Sequence, residues 1–394
     1  MTNLPPEFLE DREQFIPFRT EILLERMIRD PRLAAGHHDA LRQLCALLKH
    51  RYHFEYHALL ETLKNDFVPF DPDRETLAEP EYSDEELQTV RLRLYASIRD
   101  VLRIGNYAQL TSEQIAECLK LQPVGGLSVR ADTDEFDEFH VYYRGIRHQN
   151  KIEKYWFFFK RSRPVVRLNR VFVIARLKRE FGGQIIVKMF KDVPVEDIKI
   201  IVPKVKLGMP IFDRFKIGGS VLGSLFTPIS KLVFAFTLSW VYFWIILGGL
   251  LLAAFKGIMS FLNSKTKYLH VFSSNLYYRN LSNNKAALTS LIDDAEEQEV
   301  KEAIIGYFIL FVQPSREMSM KELDNAAENW IQEQFGHQLD FEVDDAIRKL
   351  ADKELLFTVR HITVGAEVQE IFKVRDLPDA LSRIDKAWDE FYNY

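Results

Sequence analysis

Cysteine is nearly absent: Cys45 and Cys118 are the only two in 394 residues. That excludes a disulfide framework and a cysteine zinc site, and it places the water-exposed parts in a reducing compartment. Missing as well are GxxxxGK[ST], GxGxxG behind a strand, GxSxG, HExxH and CxxC. Asp71 and Asp73 lack the glycine and the distal glutamate of a calcium loop. These absences remove the motif-borne chemistries and any cofactor they imply, leaving only a site assembled by the fold. The first residues have no early apolar run and carry Glu7, Glu10, Asp11 and Glu13, which argues against a secretory signal or an Arg-rich transit peptide.

Charge is plentiful but segregated. Residues 139–216 hold 19 Lys and Arg against 6 Asp and Glu, whereas residues 1–138 hold 16 against 27 and residues 319–394 hold 9 against 17. Directly behind the basic block lies Leu232–Phe255, a run of 24 residues without a charge, bounded by Lys231 and Lys256. As a helix it would reach roughly 36 Å, more than the roughly 30 Å hydrocarbon core of a bilayer, so the sequence predicts a transmembrane helix there. Ile217–Ser230 is a shorter uncharged stretch. The basic residues flanking the two stretches are balanced, which favours a helical hairpin with both soluble parts in the cytoplasm over a single crossing. Gly219 with Gly223, and Gly249 with Ala253, are small residues four apart, suited to close helix packing and leaving room for self-association.

From the N-terminus to about residue 120 the apolar spacing is helical, over Phe18–Ile28, Asp39–Leu63 and a helix opened by the capping-box pair Ser83 and Glu86, with a short helix from Thr111 or Ser112. On the second of these, His50, His53, His57 and Glu61 share one face. Such donors could ligate a divalent metal, although a solvated polar face explains the same spacing. Between Leu127 and Phe190 the period moves to two in segments rich in Val, Ile, Phe and Tyr, and Gly182-Gly183 marks a turn, so an antiparallel sheet is expected. Its bases include Lys160, Arg161, Arg163, Arg167 and Arg170, beside the aromatic run Tyr155–Phe159. A solvated sheet face explains them, and contact with anionic lipid headgroups fits better than contact with nucleic acid, given the adjacent apolar run.

After the apolar run, Lys285–Phe311 predicts a helix whose acidic stretch Ala295–Ala303 reads as solvated. The C-terminal block follows as helix, helix, β-hairpin and helix, the order of a winged helix; its acidic second helix would repel phosphates and suits a protein contact instead. The expected fold class is therefore α+β: a helical N-terminal domain (1–123), a basic antiparallel β-rich domain (124–210), a transmembrane helix or helical hairpin (211–262), a helical connector (263–316) and a C-terminal winged-helix-like domain (317–394).

The segments FIPFR (15–19), YHALLETLKNDFVPFDPD (56–73), GNYAQL (105–110), YYRG (142–145), FKDVP (190–194), LYYRN (276–280), AEEQEVKEA (295–303) and VDDAIRKL (343–350) resemble, in order, the transmembrane-protein-143-like family of uncharacterised proteins. The resemblance implies one or two hydrophobic segments late in the middle of the chain, brings no activity and carries over no catalytic residue. The acidic N-terminus favours a bacterial inner-membrane version. The function expected is a membrane-anchored scaffold or adaptor with a lipid-facing basic surface and a protein partner. The alternative is a membrane-associated enzyme acting on a lipid or metabolite.

Overall fold

The structure is a computed structural model that describes residues 13–73, 82–121, 128–131, 135–154, 160–201, 205–208, runs of one to three residues between 244 and 274, and then 276–315, 317–364 and 367–390. In chain order the elements are α1 (Thr20–Ile28), α2 (His38–Phe67), α3 (Asp84–Ile104), β1 (Ala108–Gln109), α4 (Ser112–Lys120), β2 (Ser128–Ala131), β3 (Phe136–Lys154), β4 (Lys160–Leu177) and β5 (Ile185–Pro194). They continue as α5 (Ile198–Ile201), β6 (Val205–Gly208), β7 (Asn280–Asn283), α6 (Asn284–Phe311), β8 (Glu317–Ser319), α7 (Met320–Phe335), α8 (Val343–Asp352), β9 (Leu356–Val364), β10 (Glu367–Val374) and α9 (Leu377–Glu390).

Helix α6 is the axis. Leu291, Ala295, Val300, Ile304, Ile305, Phe308 and Leu310 are buried along it, in one apolar cluster with α2 (Leu41, Leu48, Leu63), α3 (Ile98, Val101), α7 (Trp330, Ile331), α8 (Ala346, Leu350) and α9 (Leu377, Ala380). At about 25 cal/mol per Å² of apolar surface removed from water, this burial is the main drive to fold. An antiparallel sheet of order β1-β3-β4-β5-β7 packs Tyr142, Phe172, Ile174, Val187 and Met189 into that cluster. The alternate residues Val141, Val171 and Val173 point the other way, into a second cluster with Cys118 of α4 and Ile198 and Ile201 of α5. Period-two alternation puts successive side chains on opposite faces, and here both faces are covered, which is why VFVIA (171–175) is apolar throughout. Gly182 and Gly183, at φ 101° and 64°, make the turn between β4 and β5, a conformation glycine adopts without strain. A smaller sheet of order β8-β10-β9 packs with α7 and α8 at the C-terminal end.

The fold is α+β with a helical N-terminus and antiparallel sheets, and the transmembrane element expected within it requires correction. Among the described residues no helix is long and apolar enough to cross a membrane. The two longest, α2 and α6, carry charges along their length, such as Lys49, Arg51 and Lys64 on α2 and Glu296, Glu299 and Lys301 on α6. Of Leu232–Phe255 only Trp244, Leu247, Gly248, Gly249, Leu251, Leu252 and Phe255 are described, each as a helical residue. The remainder of that run, with Gly219, Gly223 and Ala253, lies outside the described residues. Among the described residues, nothing stands within 4 Å of where a Cβ on Gly249 would be.

Candidate functional site

Chain segments far apart in sequence converge on one polar cleft of about 380 Å³, lined by Glu13, Phe15, Arg103, Asn106, Tyr107, Tyr143, Arg144, Gly145, Asp340 and Glu342 among others. A volume of that order suits a small ligand. The extended segment ahead of α1 forms one wall. It is tied to α6 by Gln298, whose side-chain amide accepts from Ile16 N and donates to Ile16 O at 3.3 Å, and by Lys301 Nζ, which donates to the same carbonyl at 3.1 Å. Asp340 N donates to Glu13 O at 3.1 Å, joining this wall to the C-terminal block.

Arg144 of β3 is the rigid centre of the cleft. Its Nη2 is 2.8 Å from Asp294 Oδ1 and its Nη1 donates to Gly105 O at 3.1 Å. Its guanidinium lies over the Phe15 ring at 4.3 Å and the Tyr107 ring at 4.8 Å. Tyr107 Oη in turn donates to Asp294 Oδ2 at 2.7 Å. A buried guanidinium so stacked and ion-paired is held in one orientation and carries little net charge into the cleft. Gly145, at φ 76°, brings β3 against Asn169, where a Cβ would stand 2.5 Å from Asn169 Nδ2, so no other residue fits this wall.

Two groups here are under electrostatic tension. Burial pushes the Glu13 carboxyl up to about 7 against the pull of Arg144, while one of its oxygens accepts from Ile146 N. Asn106, in the left-handed region at φ 56°, donates to Gln14 O at 3.0 Å and to Glu302 Oε1 at 3.1 Å, yet among the described residues neither its buried Oδ1 nor Arg144 Nε has a hydrogen-bond partner. Beneath Asn106, Glu302 is 1% exposed and its carboxyl is pushed up to about 7 by burial. It contacts Lys349 of α8, which also lies 2.9 Å from Glu299 and 3.8 Å from Asp345. Among the described residues these three acids form the one group of potential metal donors whose ligand atoms lie within 4.8 Å of one another, and the Lys349 ammonium already stands against all three. The acidic stretch of α6, expected to be solvated, is thus partly interior: Glu299 and Glu302 face the core because α8 supplies a lysine to meet them.

The residues singled out from the sequence fall elsewhere. His50, His53, His57 and Glu61 do share one exposed face of α2. His53 Nδ1 is 3.1 Å from Glu296 Oε2, the rings of His53 and His57 are 6.4 Å apart, and Glu61 turns to Lys64 at 2.9 Å. Of the basic set, Arg167 makes a bidentate pair with Asp192, with its Nε at 2.6 Å from Oδ1, and Arg170 donates to Asn169 O at 3.3 Å. Lys160, Arg161 and Arg163 lie on β4, but their side chains are outside the described residues, as are Tyr155–Phe159. The backbone register is informative there. Past Arg147↔Arg167 the β3–β4 ribbon continues for seven pairs, with Lys151 opposite Arg163 and Lys154 opposite Lys160. No further strand pairs with this extension among the described residues. Sequence inspection missed Glu13, Asn106, Arg144, Glu302 and Lys349, although GNYAQL, YYRG, AEEQEVKEA and VDDAIRKL contain four of the five.

Residues 136–286 match the model of a protein family of unknown function, DUF3754. That match carries no link to the transmembrane-protein-143-like family. No solved structure matches the chain.

Proposed function

We propose that the protein is an adaptor that rests on an anionic membrane surface through the β3–β4 ribbon and recruits a protein partner through its acidic N- and C-terminal blocks. The observation that carries this reading is the register of the ribbon. Like charges directly opposite one another destabilise a strand pair, and two such pairs, Lys151↔Arg163 and Lys154↔Lys160, stand within seven rungs, or about 24 Å, against one pair of opposite charges, Glu153↔Arg161. Anionic headgroups relieve that repulsion, at about 1 kcal/mol per base near a charged surface. On the body of the sheet Arg167 is met by Asp192 and Arg176 by Asp137 and Glu138, whereas the sequence of the ribbon holds five bases, Lys151, Lys154, Lys160, Arg161 and Arg163, against one acid, Glu153. The leaflet proposed is the cytoplasmic face of a bacterial inner membrane. Membership of the transmembrane-protein-143-like family belongs to this proposal and adds no activity to it.

Co-sedimentation of the full chain with vesicles tests the reading. Binding to vesicles containing phosphatidylglycerol, absent with phosphatidylcholine alone and weakened by salt, is expected. Replacing Lys151, Lys154, Lys160 and Arg163 by Glu should abolish it. Indifference to lipid charge, or preference for single-stranded nucleic acid over anionic vesicles, would refute it.

A further inference from the structure

We propose that residues 13–19 are a releasable latch, an extended strap that clasps β3 and the C-terminal block to α6 in acid and lets go toward neutral and alkaline pH. The geometry of its seat carries the idea. The strap has no helix or strand of its own, and Ile16 is its one buried side chain. Its hold is polar and made mostly to main-chain atoms. The buried amide of Gln298 and the buried ammonium of Lys301 grip Ile16 N and O, Asn106 donates to Gln14 O, and Asp340 N donates to Glu13 O. The Glu13 carboxyl accepts from Ile146 N of β3, and Phe18 stacks on Phe335 of α7 with ring centroids 4.0 Å apart. On its other side, Glu13, Gln14 and Phe15 border the cleft of about 380 Å³. A segment with one apolar anchor and few packed neighbours opens at lower cost than the core it crosses.

The trigger is at the end of the strap. Around Glu13 stand Arg144 from β3, Arg103 from α3, and Asp340 and Glu342 from the segment leading into α8, with Lys301 and Glu302 of α6 beside Phe15 and Asn106. Arg144 is committed to Asp294, so its pull does not offset the burial of the Glu13 carboxyl, which stands at about 7. A carboxyl raised on docking favours the closed strap fully below its ordinary value of 4.5, and that preference is lost as pH rises through about 7. Opening turns the Gln298 and Lys301 side chains toward solvent and frees Asp340 N and Phe335 of the C-terminal block. The latch does not depend on the membrane reading.

Hydrogen exchange of the full chain between about pH 5 and about pH 8, read by mass spectrometry and corrected for the intrinsic rate, tests the latch. Protection of the amides in residues 14–19 should fall by up to about seventyfold across this range, the linkage of a carboxyl moved from 4.5 to about 7. At about pH 8 these amides should exchange at least about tenfold faster than the interior of α2, because the strap opens without the rest. Glu13→Gln, uncharged at every pH and of the same shape, should remove most of the fall. Gln298→Ala, which takes away the clasp on Ile16, should lower protection at every pH and keep the slope. Flat protection in the wild type, strap amides that exchange only in step with α2, a fall undiminished in Glu13→Gln, or a strap unchanged in Gln298→Ala would overturn the proposal. The wild-type series decides by itself should a variant fail to fold, and no lipid is present, so its failure is separate from that of the membrane reading.

Discussion

Lys349 Nζ stands 2.9 Å from Glu299 Oε1 in the core, with Glu302 on its other side, and these three side chains join α6 to α8. Burial alone would lower the lysine, yet the two carboxylates outweigh it and hold Lys349 above its ordinary range. One ammonium cannot neutralise three carboxyls, so burial still pushes Glu299 and Glu302 upward. Lys349→Met would leave those acids without a counter-ion and should cost about 3–5 kcal/mol near neutral pH, the range for breaking a buried pair from one side. Urea unfolding measures it, and a loss below about 1 kcal/mol would show that the acids find other partners.

The same burial sets a pH dependence. Glu302 and Glu13 both sit at about 7 in the folded chain, above the ordinary glutamate value, so folding takes up protons. Their contribution is complete below about pH 4.5 and is lost as pH rises through about 7. The denaturation midpoint should therefore be higher near pH 5 than near pH 8, and Glu302→Gln should flatten the difference. A midpoint that climbs with pH across this window contradicts the assignment.

Close packing of α6 on α8 depends on Gly306, where a Cβ would stand 3.2 Å from Ala346 Cβ and 3.5 Å from Leu350 Cδ1. Gly306→Ala sets a gain in helix propensity of about 1 kcal/mol against that crowding and should be close to neutral. Gly306→Leu cannot be accommodated and should destabilise by about 1–3 kcal/mol. Thermal unfolding of the two variants separates size from propensity.

At the start of α3, Ser83 accepts from Glu86 N at 3.3 Å while Glu86 Oε2 accepts from Ser83 N at 2.8 Å. Ser83→Ala removes one half of this reciprocal cap and should cost about 1 kcal/mol. Thr111 and Gln114 form the same box on α4, so Thr111→Ala is expected to behave alike. A double variant should be additive, the two caps being on different helices.

The helices and the sheet were legible because their signals are local. The capping pair Ser83 and Glu86 marks an N-terminus within four residues, the apolar spacing of Asp39–Leu63 lies inside α2, and Gly182-Gly183 turns the chain where expected. The membrane element was misjudged by the same kind of reasoning. A long uncharged run meets the length requirement for a span, but among the described residues no helix both reaches that length and stays free of charge. The acidic stretch of α6 was misread because its counter-ion, Lys349, is 47 residues beyond Glu302.

Periodicity, caps and turns are properties of neighbouring residues, so the chain alone determined its α+β character, the placing of its helices and the segregation of its charge. Only the tertiary structure could decide which charges go inside. That choice depends on desolvation being offset by a partner, and the partners of Arg144, Glu13 and Glu302 come from segments up to some three hundred residues apart. The cleft exists because those segments meet on α6, and no local pattern in any of them records the meeting.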